Sequence, residues 1–253
     1  DRAMQLDAGL RSLKWALDAA PGEGGLDIRV LYACSSDRHG RQYAELAREH
    51  GDVSFHREGD FKKDLISLVQ GSSHVLFLVD DNVFTRPLPL DEVIAMLGKT
   101  PQALGFSLRL GRNITWHYPS DSAQPPAEFI ALTDSVSAVV WPRAERYFGY
   151  PLEVSSSVYA TKDVLPLLQR LKYHNPNTLE LMLSKQSGAF AADRPLLLMH
   201  EQSSAFCIPL NLVQEEYANK FESSLEMDAE ELADRFAKGL RVDLAPLKGF
   251  EPS

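Results

Sequence analysis

The segment His74-Val75-Leu76-Phe77-Leu78-Val79 runs without a break into Asp80-Asp81-Asn82, and this junction constrains the fold more than any other stretch. Val75 to Val79 is the longest unbroken aliphatic or aromatic run in the chain. It is far too short for a membrane span, and its length and residue types suit a strand buried on both faces. The same grammar appears upstream. Leu6, Leu10, Leu13 and Leu17 share one helical face, and Pro21-Gly22-Glu23-Gly24-Gly25 ends that helix. Asp27 to Cys34 reads as a strand, Ser35-Ser36-Asp37 closes it, and a helix follows over roughly 40–50. Val53 to His56 reads as a brief strand, and Phe61, Leu65, Leu68 and Val69 mark the next helix. Strands alternating with helices of about 10–15 residues predict a mostly parallel, Rossmann-like central sheet with helices on both faces.

The second half is less regular. Ala103 to Leu110 and Ser137 to Trp141 read as strands, Asp163 to Lys172 as a helix, and Asn175-Pro176-Asn177 as the start of another. Pro195 to Met199 reads as a strand or a buried helical turn, and Ala229 to Leu240 as an amphipathic helix. No repeat or linker divides the chain, so the expectation is one α/β domain over 1–253, its halves meeting near residue 82. At 44% hydrophobic and 24% charged residues, the bulk of the chain is not disordered. A net charge of −9 with no basic stripe argues against nucleic-acid binding. Cys34 and Cys207 form no metal or redox spacing, which excludes a disulfide scaffold and makes a reducing, cytoplasmic compartment the expectation. The abrupt ends, Asp1-Arg2-Ala3-Met4 and Phe250-Glu251-Pro252-Ser253, read as those of a piece of a longer polypeptide with other domains.

The chemistry concentrates after Val79. Ligands in open α/β sheets bind beyond the carboxyl ends of strands. Two carboxylates and an amide placed there could hold a divalent cation through oxygen and, through it, a diphosphate leaving group. Asp and Asn are equally at home in turns, so the triplet alone leaves both readings open.

The order Glu58-Gly59-Asp60-Phe61, helix, then Gly71-Ser72-Ser73-His74 through Asn82 resembles nucleotide-sugar glycosyltransferases of the GT-A fold, in the family-2-like group with a DxD-type motif. The opening DRAMQLDAGLRSL is similar to the first helix of such enzymes, which follows a nucleotide-contacting strand. Gly149-Tyr150-Pro151, Ser155 to Tyr159, Asn175 to Glu180 and Ile208 to Gln214 are similar in order to a bacterial subgroup. The resemblance implies a nucleotide-diphosphate sugar donor, a UDP-sugar foremost, a saccharide acceptor such as a growing surface polysaccharide, and Mn²⁺ or Mg²⁺. Asp80, Asp81 and Asn82 would touch the donor. Asp81 is the preferred metal ligand because a carboxylate attracts the ion more strongly than the Asn82 amide.

Under the same resemblance Ser35, Ser36 and Asp37 would meet the nucleoside, with a helix cap as the other reading. Inverting transfer needs a general base for the acceptor hydroxyl, and the resemblance implies that it lies at the start of an acceptor-side helix. Glu180 is the best match, with Asn177 beside it and Asp163 in reserve; a capping arrangement Asn177-x-x-Glu180 is the plainer alternative. His200 is the placed candidate for a late metal-binding histidine, or else an ordinary core residue. Arg109, Arg112, Trp116 and Trp141 could contact acceptor sugar or diphosphate, although Trp141 on an apolar strand also suits the core. The expected function is hexosyl transfer to a hydroxyl. The alternative is a non-catalytic GT-A-like module that binds sugar or scaffolds a neighbour. A phosphorelay receiver fits poorly, at about half this length, and the glycine-rich opening of a sugar-nucleotide pyrophosphorylase is not seen.

Overall fold

The computed structural model describes residues 1–20, 26–208 and 228–252. The helix-ending 21–25 stretch and residues 209–214 of the Ile208 to Gln214 motif lie outside the described residues. Helix α1, Ala3–Asp18, turns Ala3, Met4, Ala8, Leu13 and Ala16 inward. Strand β1 (Arg29–Tyr32) leads to α2 (Asp37–Glu49), whose N-cap is Ser36; its Oγ accepts from the His39 N–H at 3.4 Å. Strand β2 (Ser54–Arg57) leads to α3 (Phe61–Val69), capped by Asp60, which accepts from the Lys63 N–H at 3.0 Å. Such caps contribute about 1 kcal/mol each by satisfying orphan donors.

Strand β3 (His74–Phe77) is followed by β4 (Asn82–Phe84), α4 (Leu90–Lys99) and β5 (Ala103–Ser107). A hairpin of β6 (Trp116–His117) and β7 (Ser122–Ala123) precedes β8 (Phe129–Ala131) and β9 (Val136–Val140). Then come β10 (Ser157–Ala160), α5 (Thr161–Arg170), α6 (Pro176–Ser184), β11 (Leu196–His200), β12 (Ala205–Cys207) and α7 (Ala229–Ala237).

The α/β class holds, but the sheet is mixed rather than mostly parallel. The central sheet has the order β3-β10-β5-β11-β9-β8, and among its neighbouring pairs, within the described residues, β5-β11 alone is parallel. The parallel pair β1-β2 stands as its own two-stranded sheet, and β4 pairs antiparallel with β12. The reason is connectivity. A parallel neighbour needs a long crossover, and after β3 the strand–helix alternation is interrupted by β4, which pairs with β12, and by the β6-β7 and β8-β9 hairpins. The short 132–135 turn between β8 and β9 can only give an antiparallel pair, and β10 inserts antiparallel between β3 and β5. Nor is the 74–79 run buried on both faces. Strand β3 is an edge of the central sheet, Phe77 alone of its residues is buried, and Leu78 beyond it is 37% exposed.

Two apolar layers cover the central sheet. Leu104, Val139, Tyr159, Leu197 and Met199 pack against Val164 and Leu168 of α5. Ala103, Phe106, Ala138, Val158 and Leu198 pack against Leu13 and Ala16 of α1 and Val93 and Met96 of α4. Each fully buried Leu, Val or Phe contributes about 1.5–3 kcal/mol. One contact in this core reaches the polar end of the sheet. A Cβ on Gly105 would lie 2.7 Å from the Tyr159 ring, so only glycine lets that ring cross β5. The Tyr159 hydroxyl in turn accepts the Glu153 N–H at 2.9 Å and bonds the Pro151 carbonyl at 2.9 Å, fixing the turn that carries Glu153.

Gly105→Ala is therefore expected to lower stability by about 1–3 kcal/mol through overpacking, read as a lower denaturant midpoint. Gly98→Ala, in helix α4 with open space around it, serves as control and should be neutral or stabilising.

Candidate functional site at the carboxyl end of the sheet

The turn after β3 is closed by Asn82. Its Oδ1 accepts the Val79 N–H at 2.7 Å, and its own N–H donates to the Val79 carbonyl at 3.1 Å. Its Nδ2 donates to Ser155 Oγ at 3.1 Å and to Cys207 Sγ at 3.2 Å, and the residue is 1% exposed. Antiparallel pairing of β4 with β12 sets Cys207 opposite Asn82 and explains the second contact. The two acids are left to project from the turn. Arg2, at the N-cap of α1, spans both, with Nη1 2.6 Å from Asp80 Oδ1 and Nη2 3.1 Å from Asp81 Oδ2. Gly9 lets α1 approach this closely, since a Cβ there would lie 3.0 Å from the Asn82 carbonyl. Desolvation raises the Asp80 carboxyl to about 6, with Arg2 pulling it back and Asp81 adding to the rise. The side chain keeps 31% exposure, so solvent screens part of that shift. Desolvation and the charge of Asp81 push the Cys207 thiol up to about 12, so it stays protonated.

Ser155 joins this turn to a second group of charges. Its N–H donates to Glu153 Oε2, and the Ser157 hydroxyl donates to Glu153 Oε1. The register Ser157 opposite Ser107 puts this segment at the carboxyl end of β5, where the chain continues to Arg109. Arg109 Nε lies 3.5 Å from Glu153 Oε2, and the guanidinium covers the Tyr147 ring at 4.9 Å. Glu180 closes the group from α6. Its Oε2 accepts the Val154 N–H at 3.0 Å and its Oε1 accepts from the Tyr150 hydroxyl at 3.3 Å. Glu180 is not a capping residue: Asn175 caps α6 in a reciprocal box with Thr178. That box fixes the first turn, with Asn177 in it, and leaves the Glu180 side chain to reach across to residues 150–154.

Arg109 is thus bracketed by Glu153 and Glu180, and their charges hold its guanidinium protonated against desolvation. Glu153, 2% exposed, is raised to about 7, first by desolvation, with Arg109 opposing and Glu180 adding. Desolvation and Glu180 together push the Tyr150 hydroxyl up to about 12. Chemically the group offers one carboxyl that holds a proton near neutrality, a second hydrogen-bonded carboxylate, and a fixed cation.

A cleft of about 310 Å³ opens at the carboxyl ends of β1 and β2, lined by Tyr32, Cys34, Ser36, Asp37, Arg41 and Arg57. Ser35, Ser36 and Asp37 are exposed here, and Ser36 also caps α2. Tyr43, stacked on Tyr32 at 4.4 Å, accepts the Arg2 N–H at 3.3 Å and so ties this cleft to the acidic turn. Asp163 lies away from all this. Strand β10 runs from Ser157, opposite Ser107, toward the other end of the sheet before α5 begins, and Asp163 there meets Arg194 at 3.3 Å. Trp141 is buried in the core beside the start of β11, and its Nε1 donates to the Arg194 carbonyl at 2.7 Å. His200 is buried against Phe106 at 4.8 Å, with Nδ1 3.1 Å from Ser204 Oγ. Arg112 pairs with Glu201 at 2.6 Å, and Trp116 is exposed on the β6-β7 hairpin.

The donor set at 80–82 does not fit a resident Mn²⁺ or Mg²⁺. The Asn82 amide oxygen is committed to the Val79 N–H, the His200 ring sits in the core, and Arg2 bridges both carboxylates. Among the described residues, the His/Cys/Asp/Glu group with ligand atoms all within 4.8 Å is Asp7, Glu49 and His50. Arg11 holds Asp7 there at 2.8 Å, and Arg241 holds Glu49 at 3.0 Å. The residues that sequence reasoning missed are Arg2, Tyr150, Glu153 and Ser155 in its bridging role. A lone acid between Leu152 and Val154 was the available signal for Glu153.

The raised Glu153 carboxyl makes a pH prediction. The folded state binds its proton more tightly than the unfolded chain, so the stabilising contribution is full below about 4.5 and is lost as pH rises through about 7. Wild type should lose on the order of 3 kcal/mol relative to Glu153→Gln across that window, read by urea denaturation at its two ends.

No protein-family profile matches the chain. It is 27% identical over 248 residues to a bifunctional glycosyltransferase, pgtA, of Dictyostelium discoideum, a match that covers 87% of this chain and 32% of that protein. The chain therefore spans about a third of the length of this curated relative. Among solved structures, apo UDP-glucose pyrophosphorylase superposes at a TM-score of 0.41 with 10% identity, over 79% of this chain and 78% of the other. Among the described residues, no helix is long and apolar enough to cross a membrane.

Proposed function

We propose that this chain is a glycosyltransferase domain of the GT-A type. It would move a hexose from a nucleoside-diphosphate donor, a UDP-sugar foremost, to a hydroxyl of a saccharide acceptor, with inversion. One observation carries the reading: the acidic turn and Glu180 are tied to the same short segment, Asn82 donating to Ser155 Oγ and Glu180 accepting the N–H of the neighbouring Val154. The likeness to a bifunctional glycosyltransferase supports it. The cleft beside Ser35, Ser36 and Asp37 takes the nucleoside, and the turn at Asp80 and Asp81 lies at its diphosphate end.

In this reading Glu180 accepts the proton of the acceptor hydroxyl as that oxygen bonds to the anomeric carbon and the sugar–phosphate bond breaks. The nucleoside diphosphate leaves with the bonding pair. Glu153, raised to about 7 by desolvation, carries a proton for part of the time near neutrality and so limits the negative charge beside Arg109. Tyr150 and the Val154 N–H orient the Glu180 carboxylate. Both Glu180 oxygens therefore already accept hydrogen bonds, which is the one observation that favours a non-catalytic, sugar-binding module instead.

Release of nucleoside diphosphate from a panel of nucleotide sugars, with and without saccharide acceptors, separates the two. Glu180→Gln should lower kcat by about 10²–10⁴-fold with the donor KM unchanged. Full activity in that variant overturns the assignment of the base. Donor binding without turnover in wild type establishes the binding module.

A further inference from the structure

We propose that Arg2 is the resident counter-cation of the Asp80–Asp81 pair, so that this turn holds no divalent ion and nucleoside diphosphate binds here without one. The first half stands on geometry alone; the second rests on the glycosyltransferase reading.

A guanidinium is a flat fork that stays charged at any physiological pH, and it matches carboxylates with paired N–H groups. Here the fork spans two acids of adjacent residues, one terminal nitrogen to each, at 2.6 and 3.1 Å. The Arg2 side chain is 12% exposed and that of Asp81 16%, so this side of the fork is largely withdrawn from water, while Asp80 at 31% is partly screened. Its backbone is fixed as well. It forms the N-cap of α1, its N–H donates to Tyr43, and α1 is seated on the turn by the close approach at Gly9. Withdrawing Arg2 would leave a charged group poorly solvated beside an incoming cation. The positive end of the α1 dipole adds to that repulsion.

An ion brought in with a diphosphate can manage with one or two protein carboxylates, because phosphate and water complete its shell. The count of acids therefore does not decide the matter; the occupant does. Asp80 and Asp81 are the two carboxylates that the turn projects, and Arg2 bonds one oxygen of each, placing its positive charge where an ion would sit. Asn82 offers its amide oxygen to Val79 instead, and the Cys207 sulfur behind it bonds Asn82 and Ser155. Breaking a largely buried ion pair by loss of one partner has a cost that corresponds to about 10²–10³-fold in affinity.

The direct test is Mn²⁺ titration, read by the paramagnetic resonance of the free ion and by calorimetry, on wild type, Arg2→Ala and Arg2→Ala/Asp81→Asn. Wild type should show no stoichiometric Mn²⁺ site that depends on Asp81. Arg2→Ala should gain one, tighter by at least about 10²-fold, and the added Asp81→Asn change should remove it. A single Mn²⁺ site in wild type that Asp81→Ala abolishes overturns the proposal, and so does a folded Arg2→Ala that gains none. UDP titration in EDTA and in excess Mn²⁺ completes the test. Affinities within about twofold support ion-independent binding, whereas loss of binding in EDTA contradicts it. Failure of UDP to bind under either condition counts against the glycosyltransferase reading alone, because the Mn²⁺ arms do not involve nucleotide.

Discussion

The side chain of Asn82 is the hinge on which the candidate site depends. A buried amide has four hydrogen-bonding positions, and leaving one unmade costs about 1–3 kcal/mol. Asn82 uses its oxygen to close the turn after β3 and its nitrogen to hold Ser155 and Cys207. One residue thus fixes where the two acids point and binds their turn to segments that arrive about 70 and 125 residues later in the chain. An aspartate could close the turn but has no N–H to donate to Ser155, and a second or third charge there would meet Cys207 and Glu153. The substitution of an amide for an acid at this place is therefore a condition of the arrangement.

From that hinge two groups extend, each an arginine beside two acidic side chains. Arg2 lies between Asp80 and Asp81. Arg109 touches Glu153 and feels Glu180. Charges so far from water are a weak source of stability, because desolvation offsets most of the attraction. Their concentration at the carboxyl ends of the strands, beside an arginine-containing cleft, is better explained by ligand chemistry than by folding. The core supports this end mechanically. Gly105 admits the Tyr159 ring, Tyr159 holds the 151–153 turn, and that turn presents Glu153 between Ser155 and Ser157.

What could be read from the sequence followed from local signals. The strand before Asp80, the cap at Ser36, the helix marked by Phe61 to Val69 and the helix start near Asn175-Pro176-Asn177 all carry local signals, although the cap of that last helix is Asn175 with Thr178 rather than Asn177 with Glu180. Sheet direction did not, because it depends on which strands meet. The alternation up to β3 suggested parallel pairing, whereas β10, part of a segment read only as a motif, inserts between β3 and β5 the other way. The site divided along the same line. Asp80, Asp81 and Glu180 were singled out from position and resemblance, and the structure shows their partners, Arg2 for the first two and Val154 and Tyr150 for the third. Arg2 escaped notice because its partners lie 78 and 79 residues away. Glu153 escaped because an acid between Leu152 and Val154 looks like a surface break in a loop until burial is known. Trp141 and His200, each read as either a ligand contact or a core residue, are buried, Trp141 in the apolar cluster and His200 against Phe106.

The central claim is that the 35–37 cleft, the acidic turn and the Arg109 group form one site for a nucleoside-diphosphate sugar. The most direct measurement is the titration of UDP into isotope-labelled protein, followed by amide and arginine side-chain resonances. The account predicts saturable shifts at Ser35 to Asp37, at Asp80 to Asn82 and at Arg2, carried on to Ser155 and Arg109 through the hydrogen bonds of Asn82. Shifts confined to another part of the surface, or none at all, would contradict it.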